Sequence, residues 1–352
     1  MTLKKHVILG LSLAMLAFSC SNDDDNTNLP IASGAYEDGI LITNEGNFNQ
    51  GNGSVSFVSN DFSISEPTIF STVNGKLLGD TVQSITFHED LAYIIVNNSQ
   101  KIEVVNRYTF ESVATINSGL NNPRYMTILL GKGYVTNWGD GNDPDDDFVA
   151  VINLQSNDVI TTVAVGEGPE RIVSNGTAAY VAHKGGYGQN NIVTVIDANA
   201  SVLKTITVGD IPNSMVFDAL GQLYVLAEGK PAWTNDETAG ELSVINPTSN
   251  TVTSSLAFAK DQHPAHLAYG NAMYFYMNGS VYKFDTGIKS VPSTPEFTGV
   301  NFNYMTINEG VLYGVDAGNY TANGTLKTFD LSTNTSKNSV EVGIIPSGIY
   351  FN

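Results

Sequence analysis

The chain has 352 residues, 42% of them hydrophobic and 14% charged, with 33 Gly, 16 Tyr and 16 Phe, a globular composition biased toward β-structure that excludes disorder throughout. Sixteen Lys and Arg stand against 35 Asp and Glu, a net charge of −19, which argues against the phosphate-neutralising face that nucleic acid requires. The single cysteine, Cys20, excludes a disulfide framework, an iron–sulfur cluster and multi-cysteine zinc sites.

At the N-terminus, Lys4 and Lys5 precede an apolar run from Val7 to Phe18, too short to span a bilayer comfortably and laid out as a secretory signal peptide. The run ends in Leu16-Ala17-Phe18-Ser19-Cys20, which resembles a bacterial lipobox. That resemblance implies cleavage after residue 19 and lipidation of Cys20; an ordinary signal peptide with a chance cysteine is the plain alternative. Residues 20–37 then form an acidic tether that begins Ser21-Asn22-Asp23-Asp24-Asp25-Asn26. It resembles the signals that send some lipoproteins to the outer cell surface, against a solvated linker facing the periplasm.

From residue 38 onward, short runs rich in Val, Ile, Thr, Tyr and Phe alternate with Gly, Asn, Asp and Pro clusters, the all-β pattern. Three early runs, Ile40–Thr43, Ser54–Val58 and Ile64–Phe70, read as strands. A repeat follows: a turn residue with apolar residues at plus three and usually plus five, starting at Val82, Pro123, Pro169, Pro212, Pro264, Phe302 and Pro346. The spacings are 41, 46, 43, 52, 38 and 44 residues. A second run about ten residues after each of the first six starts carries Tyr93, Tyr134, Tyr180, Tyr224, Tyr274 or Tyr313, and third and fourth runs complete each period.

Four strands per period define a β-propeller blade. Too little chain follows Pro346 for a whole blade, so its one strand joins the three early runs to close the ring as a seventh blade and hide the open edges. Pro67, Pro292 and Pro295 fall in outer fourth strands, where a missing N–H does least harm. The repeated tyrosines and valines are expected to pack between blades.

Tyr134-Val135-Thr136-Asn137 matches the motif for which the YVTN surface propellers are named, and the register extends over most of the chain. Asn44-Glu45-Gly46-Asn47-Phe48, Asn74–Asp80, Val96-Asn97-Asn98-Ser99, Asn122-Pro123-Arg124-Tyr125 and Val342-Gly343-Ile344-Ile345-Pro346 resemble one surface-lipoprotein subfamily. It includes the BtuG-type vitamin B12-binding propellers that sit on TonB-dependent cobalamin transporters. The resemblance implies cobalamin as bound ligand, such a transporter as partner, and an outer-membrane, lipid-anchored position facing outward.

In this register the connections from fourth to first strand and from second to third strand emerge on one face. The second set is long and carries Phe48, Trp138, Tyr187, Trp233 and Tyr320, exposed aromatics that plain connections do not need. The alternative packs both tryptophans onto their own blades. Arg124 and Arg171 are read as recurring at one blade position, offering planar forks at the channel mouth or pairing between blades. Asn97, His183, Asn213, His263 and Tyr304 complete the candidate ligand contacts.

His263 and His266 supply two ligands, below the three or four that zinc takes. The oxygen-rich loop Asp140–Asp147 resembles the start of a calcium loop but lacks its downstream bidentate Glu, so no metal is assigned and loop-bound calcium stays a minor alternative. The chain has no G-x-S-x-G elbow, H-E-x-x-H, P-loop or dinucleotide glycine fingerprint, and a lipidated Cys20 is not a nucleophile. The reading is therefore of a non-enzymatic binding protein. A glycan-binding surface lipoprotein and a protein–protein scaffold or adhesin are the alternatives.

Fractionation tests the anchor. Cys20→Ala is expected to release the protein from membranes, and external protease is expected to reach the wild type on intact cells. Unchanged membrane association of the variant sinks the anchor, and protection of the wild type sinks the outward orientation.

Overall fold

The computed structural model describes residues 34–287 and 289–352; the expected signal peptide, Cys20 and the Asp23–Asp25 run lie outside the described residues. Residues 33–352 form a single compact unit, in which no described helix is long and apolar enough to cross a membrane.

Seven four-stranded antiparallel sheets make up a seven-bladed β-propeller. Blade 1 is the expected composite: its inner strand Pro346–Phe351 pairs with Gly39–Asn44, followed outward by Ser54–Ser59 and Ser65–Glu66. Blades 2 to 7 occupy residues 82–116, 123–164, 169–207, 212–257, 265–298 and 304–344 in order. Each inner strand packs on the inner strands of both neighbours, and the ring closes where Pro346–Phe351 meets Val82–His88.

The sequence repeat explains the packing. All seven plus-three residues, Ile85, Met126, Ile172, Met215, Leu267, Met305 and Ile349, are buried. Five of the six repeated tyrosines are buried and Tyr313 is half-buried. Several hydroxyls reach the next blade: Tyr93 donates to the Leu154 carbonyl (3.4 Å), Tyr134 to that of Asp197 (3.3 Å) and Tyr180 to Asn250 Oδ1 (2.8 Å). Each ring thus fills the wedge between blades, while its hydroxyl satisfies an oxygen that burial would otherwise leave unpaired.

Two outer strands are shorter than their sequence pattern suggests. The run Ile64–Phe70 contributes only Ser65–Glu66 to the sheet and then turns into helix Ile69–Asn74, which ends at Gly75 with φ 64 and buries Ile69 and Phe70. In blade 6 the outer strand is only Phe297–Thr298. Pro67, Pro292 and Pro295 therefore lie beside these two stubs rather than within fourth strands, because each proline removes a ladder donor.

Two backbone devices shape the loop-rich face. The residue before the inner strand is left-handed in five blades: Thr81, Asn122, Gly168, Ile211 and Ile345, with φ between 54 and 63. In each, its carbonyl accepts the N–H of the residue that follows the second strand: Asn97 (2.8 Å), Trp138 (3.1 Å), Lys184 (2.9 Å), Glu228 (2.9 Å) and Glu45 (2.9 Å). For Thr and Ile this φ is strained, so the clasp must over-determine it.

The second device is a register shift near the start of the inner strand in blades 1 to 6. Such bulges re-aim side chains, here those at plus one and plus two of the inner strand.

The last strand ends in a latch. Asn352 Oδ1 accepts from Arg107 Nε (2.6 Å), and its Nδ2 donates to the carbonyls of Arg107 (2.8 Å) and Tyr36. Deleting residues 346–352 removes the latch, one inner strand and the Asn303–Pro346 bond (2.9 Å), and opens apolar faces of Gly39–Asn44 and its neighbours. The expected loss is about 4 kcal/mol or more, well beyond a surface change. A truncated protein melting within a few degrees of the parent contradicts this closure.

Candidate functional site

The plus-one side chains of the inner strands converge on the mouth of the central channel. Gln83, Arg124, Glu170, Asn213, Ala265, Asn303 and Ser347, one from each blade, line a basin of about 220 Å³ together with Glu45, Tyr125, Arg171, Lys184, Glu228 and His266. Three of the sixteen cationic residues meet there. Neighbouring blades are stitched across the ring: Gln83 Nε2 donates to Tyr125 Oη (2.9 Å), Asn213 to the Pro264 carbonyl (2.9 Å) and Asn303 to the Pro346 carbonyl (2.9 Å).

Arg124 and Arg171 do not share a register position. Arg124 is at plus one and Arg171 at plus two, so the counterpart of Arg124 in blade 4 is Glu170, and that of Arg171 in blade 3 is Tyr125. The consequence is a forked ion pair: Arg124 Nε and Nη2 donate to the two Glu170 oxygens at 2.8 and 2.9 Å. Burial works to raise the Glu170 carboxyl, but the Arg124 charge and hydrogen bonds outweigh it and hold the group below the ordinary carboxylate range. Glu45 is pushed up by burial, with Arg124 only partly opposing.

Outward from the basin runs an aromatic ridge. The Arg124 guanidinium carbon lies 4.1 Å from the Trp138 ring centroid, and Trp138 meets Tyr187 edge-on at 6.2 Å between centroids. Tyr187 leans over Gly141, where a Cβ would approach the ring to 2.5 Å. Its loop is pinned because Gly168, at φ +63, lies so close to Gly185 and Gly186 that a Cβ on it would strike their backbone.

Beyond Tyr187, a groove of about 340 Å³ separates it from Trp233 and is lined also by Lys184, Gln189, Ile211, Glu228 and Pro231. Lys184 and Glu228 belong to both groove and basin, so the two adjoin. Trp233 stands on the single turn Ala232–Thr234, braced by the Lys230–Asp236 ion pair (2.7 Å) and by Thr238 Oγ1 donating to Asp210 (2.9 Å).

Among the aromatic candidates, Tyr187 (74% exposed), Trp233 (78%), Phe48 (67%) and Tyr320 (50%) present their rings to solvent from four different blades. Asn47 Nδ2 donates to the Tyr320 carbonyl (3.1 Å), which places Phe48 and Tyr320 on adjoining loops. Trp138 is instead half-buried, with its Nε1 buried and unpaired, and serves as the base of the ridge rather than a loop tip. Tyr304 faces the channel, its ring 5.1 Å from the Arg171 guanidinium carbon.

Other candidates are spent on structure. His183 is fully buried, its Nδ1 against the Gly166 carbonyl (2.8 Å) and its Nε2 against Thr194 Oγ1 (2.9 Å); burial pulls its pKa down to about 4, so the ring is a neutral support. Asn97 is buried and donates to the Pro123 carbonyl (3.0 Å). Both side chains of the Asn213 pair, Asn213 and Ser214, bond each other at 2.7 Å, while Asn213 still borders the basin. His263 places Nδ1 against the Glu228 carbonyl (3.0 Å) and Nε2 3.5 Å from Glu237.

Among the described residues no three possible metal ligands converge. In the acidic loop, Asp146 accepts the Asp140 N–H (2.9 Å), Asp140 the Asn142 N–H (3.1 Å) and Asp143 the Asp145 N–H (3.1 Å). These are turn bonds of the loop itself. A larger cleft of about 610 Å³, with Lys283, Asp285 and Glu309 among its walls, opens between blades 6 and 7; its turns belong to the opposite face.

Lys184, Glu228 and Glu45 were legible only as loop members. The signal that singles them out is positional: each, like Trp138, is the first residue after a second strand and is held by the same carbonyl clasp.

This architecture is a seven-bladed propeller whose long aromatic loops gather at one mouth of the central channel. The chain belongs to the family described as domain of unknown function DUF5074, whose model matches residues 38–342. Three solved propellers show the shared fold. A quinonprotein alcohol dehydrogenase-like protein from Bacteroides thetaiotaomicron is 16% identical, with TM-score 0.62 over 90% of this chain and 78% of that one. The periplasmic gluconolactonase of Pseudomonas aeruginosa is 13% identical, with TM-score 0.65 over 89% and 98%. Virginiamycin B lyase from Staphylococcus aureus is 13% identical, with TM-score 0.55 over 75% and 85%. A search of curated protein sequences returns no significant match.

Asp147 lends itself to a pH test. It is buried and accepts the Gly168 N–H (3.0 Å), and burial, aided by the charges of Asp146, Glu167 and Asp143, pushes its pKa up from 3.8 to about 7. Between those values the folded chain holds a proton that the unfolded chain has released. Its contribution to stability is therefore fullest below about pH 4 and is lost as pH rises through 7. Asp147→Asn keeps the acceptor and removes the titration, so its urea midpoint should fall less between pH 5 and pH 8 than the parent's. An unchanged difference contradicts this.

Proposed function

We propose that the protein is a non-enzymatic surface lipoprotein that captures a bulky polar nutrient, foremost cobalamin, and passes it to a TonB-dependent outer-membrane transporter. The observation that carries the capture is the groove between Tyr187 and Trp233 lying beside the seven-blade basin, with Lys184 and Glu228 lining both. Cobalamin is broad, fringed with amides and nearly neutral. It suits a wide site with apolar platforms on one flank and amide, hydroxyl and balanced charged groups on the other. In the basin Arg124, Arg171 and Lys184 face Glu45, Glu170 and Glu228, so the formal charges of these six cancel.

Choice of cobalamin, lipid anchor and transporter rests on the sequence resemblance rather than on the basin. Exposed aromatics from several blades suit sugar faces equally well, which keeps glycan capture as the second reading, and the same rings suit a protein partner in a scaffold or adhesin.

Calorimetry with cobalamin against a panel of glycans decides between them. With cobalamin bound, Tyr187→Ala and Trp233→Ala are each expected to cost about 2 kcal/mol, about thirtyfold in affinity, as anchors of this type do. Unaltered affinity in both variants rejects the groove. Absence of cobalamin binding by the wild type rejects the ligand and moves glycans to first place.

A further inference from the structure

Arg171 stands one residue further along its inner strand than Arg124 and is differently surrounded. Its guanidinium carbon lies 4.0 Å from the Tyr125 ring centroid and 5.1 Å from that of Tyr304. Among the described residues it has no ion-pair partner within 4 Å and no hydrogen-bond acceptor. The adjacent carboxylate, Glu170, already has both oxygens on Arg124. Aromatic faces stabilise a desolvated guanidinium, yet they leave its five N–H donors unanswered. Deprotonation offers no escape for arginine.

Beside the guanidinium lies a chamber of about 90 Å³ walled by Arg171, Ser214, His266, Tyr304 and Thr306, with apolar residues of the blade 5 and blade 6 inner strands behind them. His266 is wedged between Tyr276 and Tyr304, at 5.9 and 6.0 Å between ring centroids. Burial, and after it the charges of Arg171 and Lys184, pull its pKa down to about 3, so the chamber holds one positive charge. Ser214 donates to Asn213 (2.7 Å) and accepts the Leu267 N–H (2.9 Å). Arg171 and His266 border the basin as well.

We propose that this chamber is a carboxylate site, in which the free fork of Arg171 takes both oxygens of a small monoanion. A planar two-oxygen anion matches the fork. Arg171 is the one charged group on the chamber's walls, which suits a monoanion rather than a dianion, and the volume admits about three water-sized groups. Because Arg171 and His266 wall both the chamber and the basin, the carboxylate is either a free small acid or the anionic arm of a larger molecule seated in the basin. The site stands apart from the Tyr187–Trp233 groove and from the identity of its ligand.

Acetate is the probe, titrated into the purified protein against chloride at matched ionic strength and followed by melting temperature and by line broadening of carbon-13 acetate. Acetate is expected to raise the melting temperature above the chloride control and to broaden, with sulfate giving neither effect. Arg171→Gln should abolish the response, and Arg171→Lys, which keeps the charge without the fork, should weaken it about tenfold. Thr306→Leu fills the chamber and leaves the arginine, so it too should abolish binding and serves if the arginine variants do not fold. Lys283→Gln, in the cleft of the opposite face, should leave it intact.

A bulkier acid such as cyclohexanecarboxylate, binding in place of acetate with the same dependence on Arg171, assigns the anion to the arm of a basin ligand. No response to either acid, an equal response to sulfate, or an acetate response that survives both Arg171→Gln and Thr306→Leu overturns the proposal.

Discussion

A single hydrogen bond, from the N–H after the second strand to the carbonyl of a left-handed residue before the first, organises the loop-rich face. In five blades it ties together the two connections that emerge there. Without it, each pair of loops would be independently mobile, because neither has a sheet partner. With it, Glu45, Trp138, Lys184 and Glu228 occupy equivalent places around the mouth, and the inner strand enters the channel at a fixed angle. Strain at Ile211 and Ile345 is the local cost, offset by the bond and by packing of the strand that follows.

The channel itself shows how an acidic protein concentrates its few cations. With a net charge of −19, random placement would surround each arginine with carboxylates. Here Arg124 takes one carboxylate in a two-pronged pair, while Arg171 is surrounded by rings of Tyr125, Tyr304 and His266. The first arrangement rigidifies the junction of blades 3 and 4. The second keeps a cation pre-organised but chemically unsatisfied, a state that is costly unless water or a ligand answers it.

Much of the fold was legible because packing imposes period. The plus-three residues and the tyrosines must repeat, since every wedge between blades has the same shape, and that repetition revealed blade number and the composite closure. Irregular features were less legible. The short outer strands of blades 1 and 6 depend on what Pro67, Pro292 and Pro295 remove, and no apolar alternation announces the helix that buries Phe70. At the site, the exposed rings of Phe48, Tyr187, Trp233 and Tyr320 were visible as aromatics in long loops. His183 was misleading, because a polar residue at the end of a strand reads alike whether it faces a ligand or, as here, two carbonyls and a threonine. Arg124 and Arg171 were assigned to one level because a one-residue difference matters little to a repeat and everything to a bulged strand.

That difference has a bearing on how such a protein can diversify. Along each inner strand, the residue at plus three belongs to the core while the residue at plus one belongs to the channel mouth, and the bulge between strand start and core uncouples them in six of the blades. Gln, Arg, Glu, Asn, Ala, Asn and Ser are all accommodated at plus one above the same buried aliphatic or thioether layer. The ring is thus an address of seven characters written above one layer of apolar side chains, with only Arg124 and Glu170 spelled as a pair, so chemical selectivity can drift at the mouth while the scaffold keeps its stability.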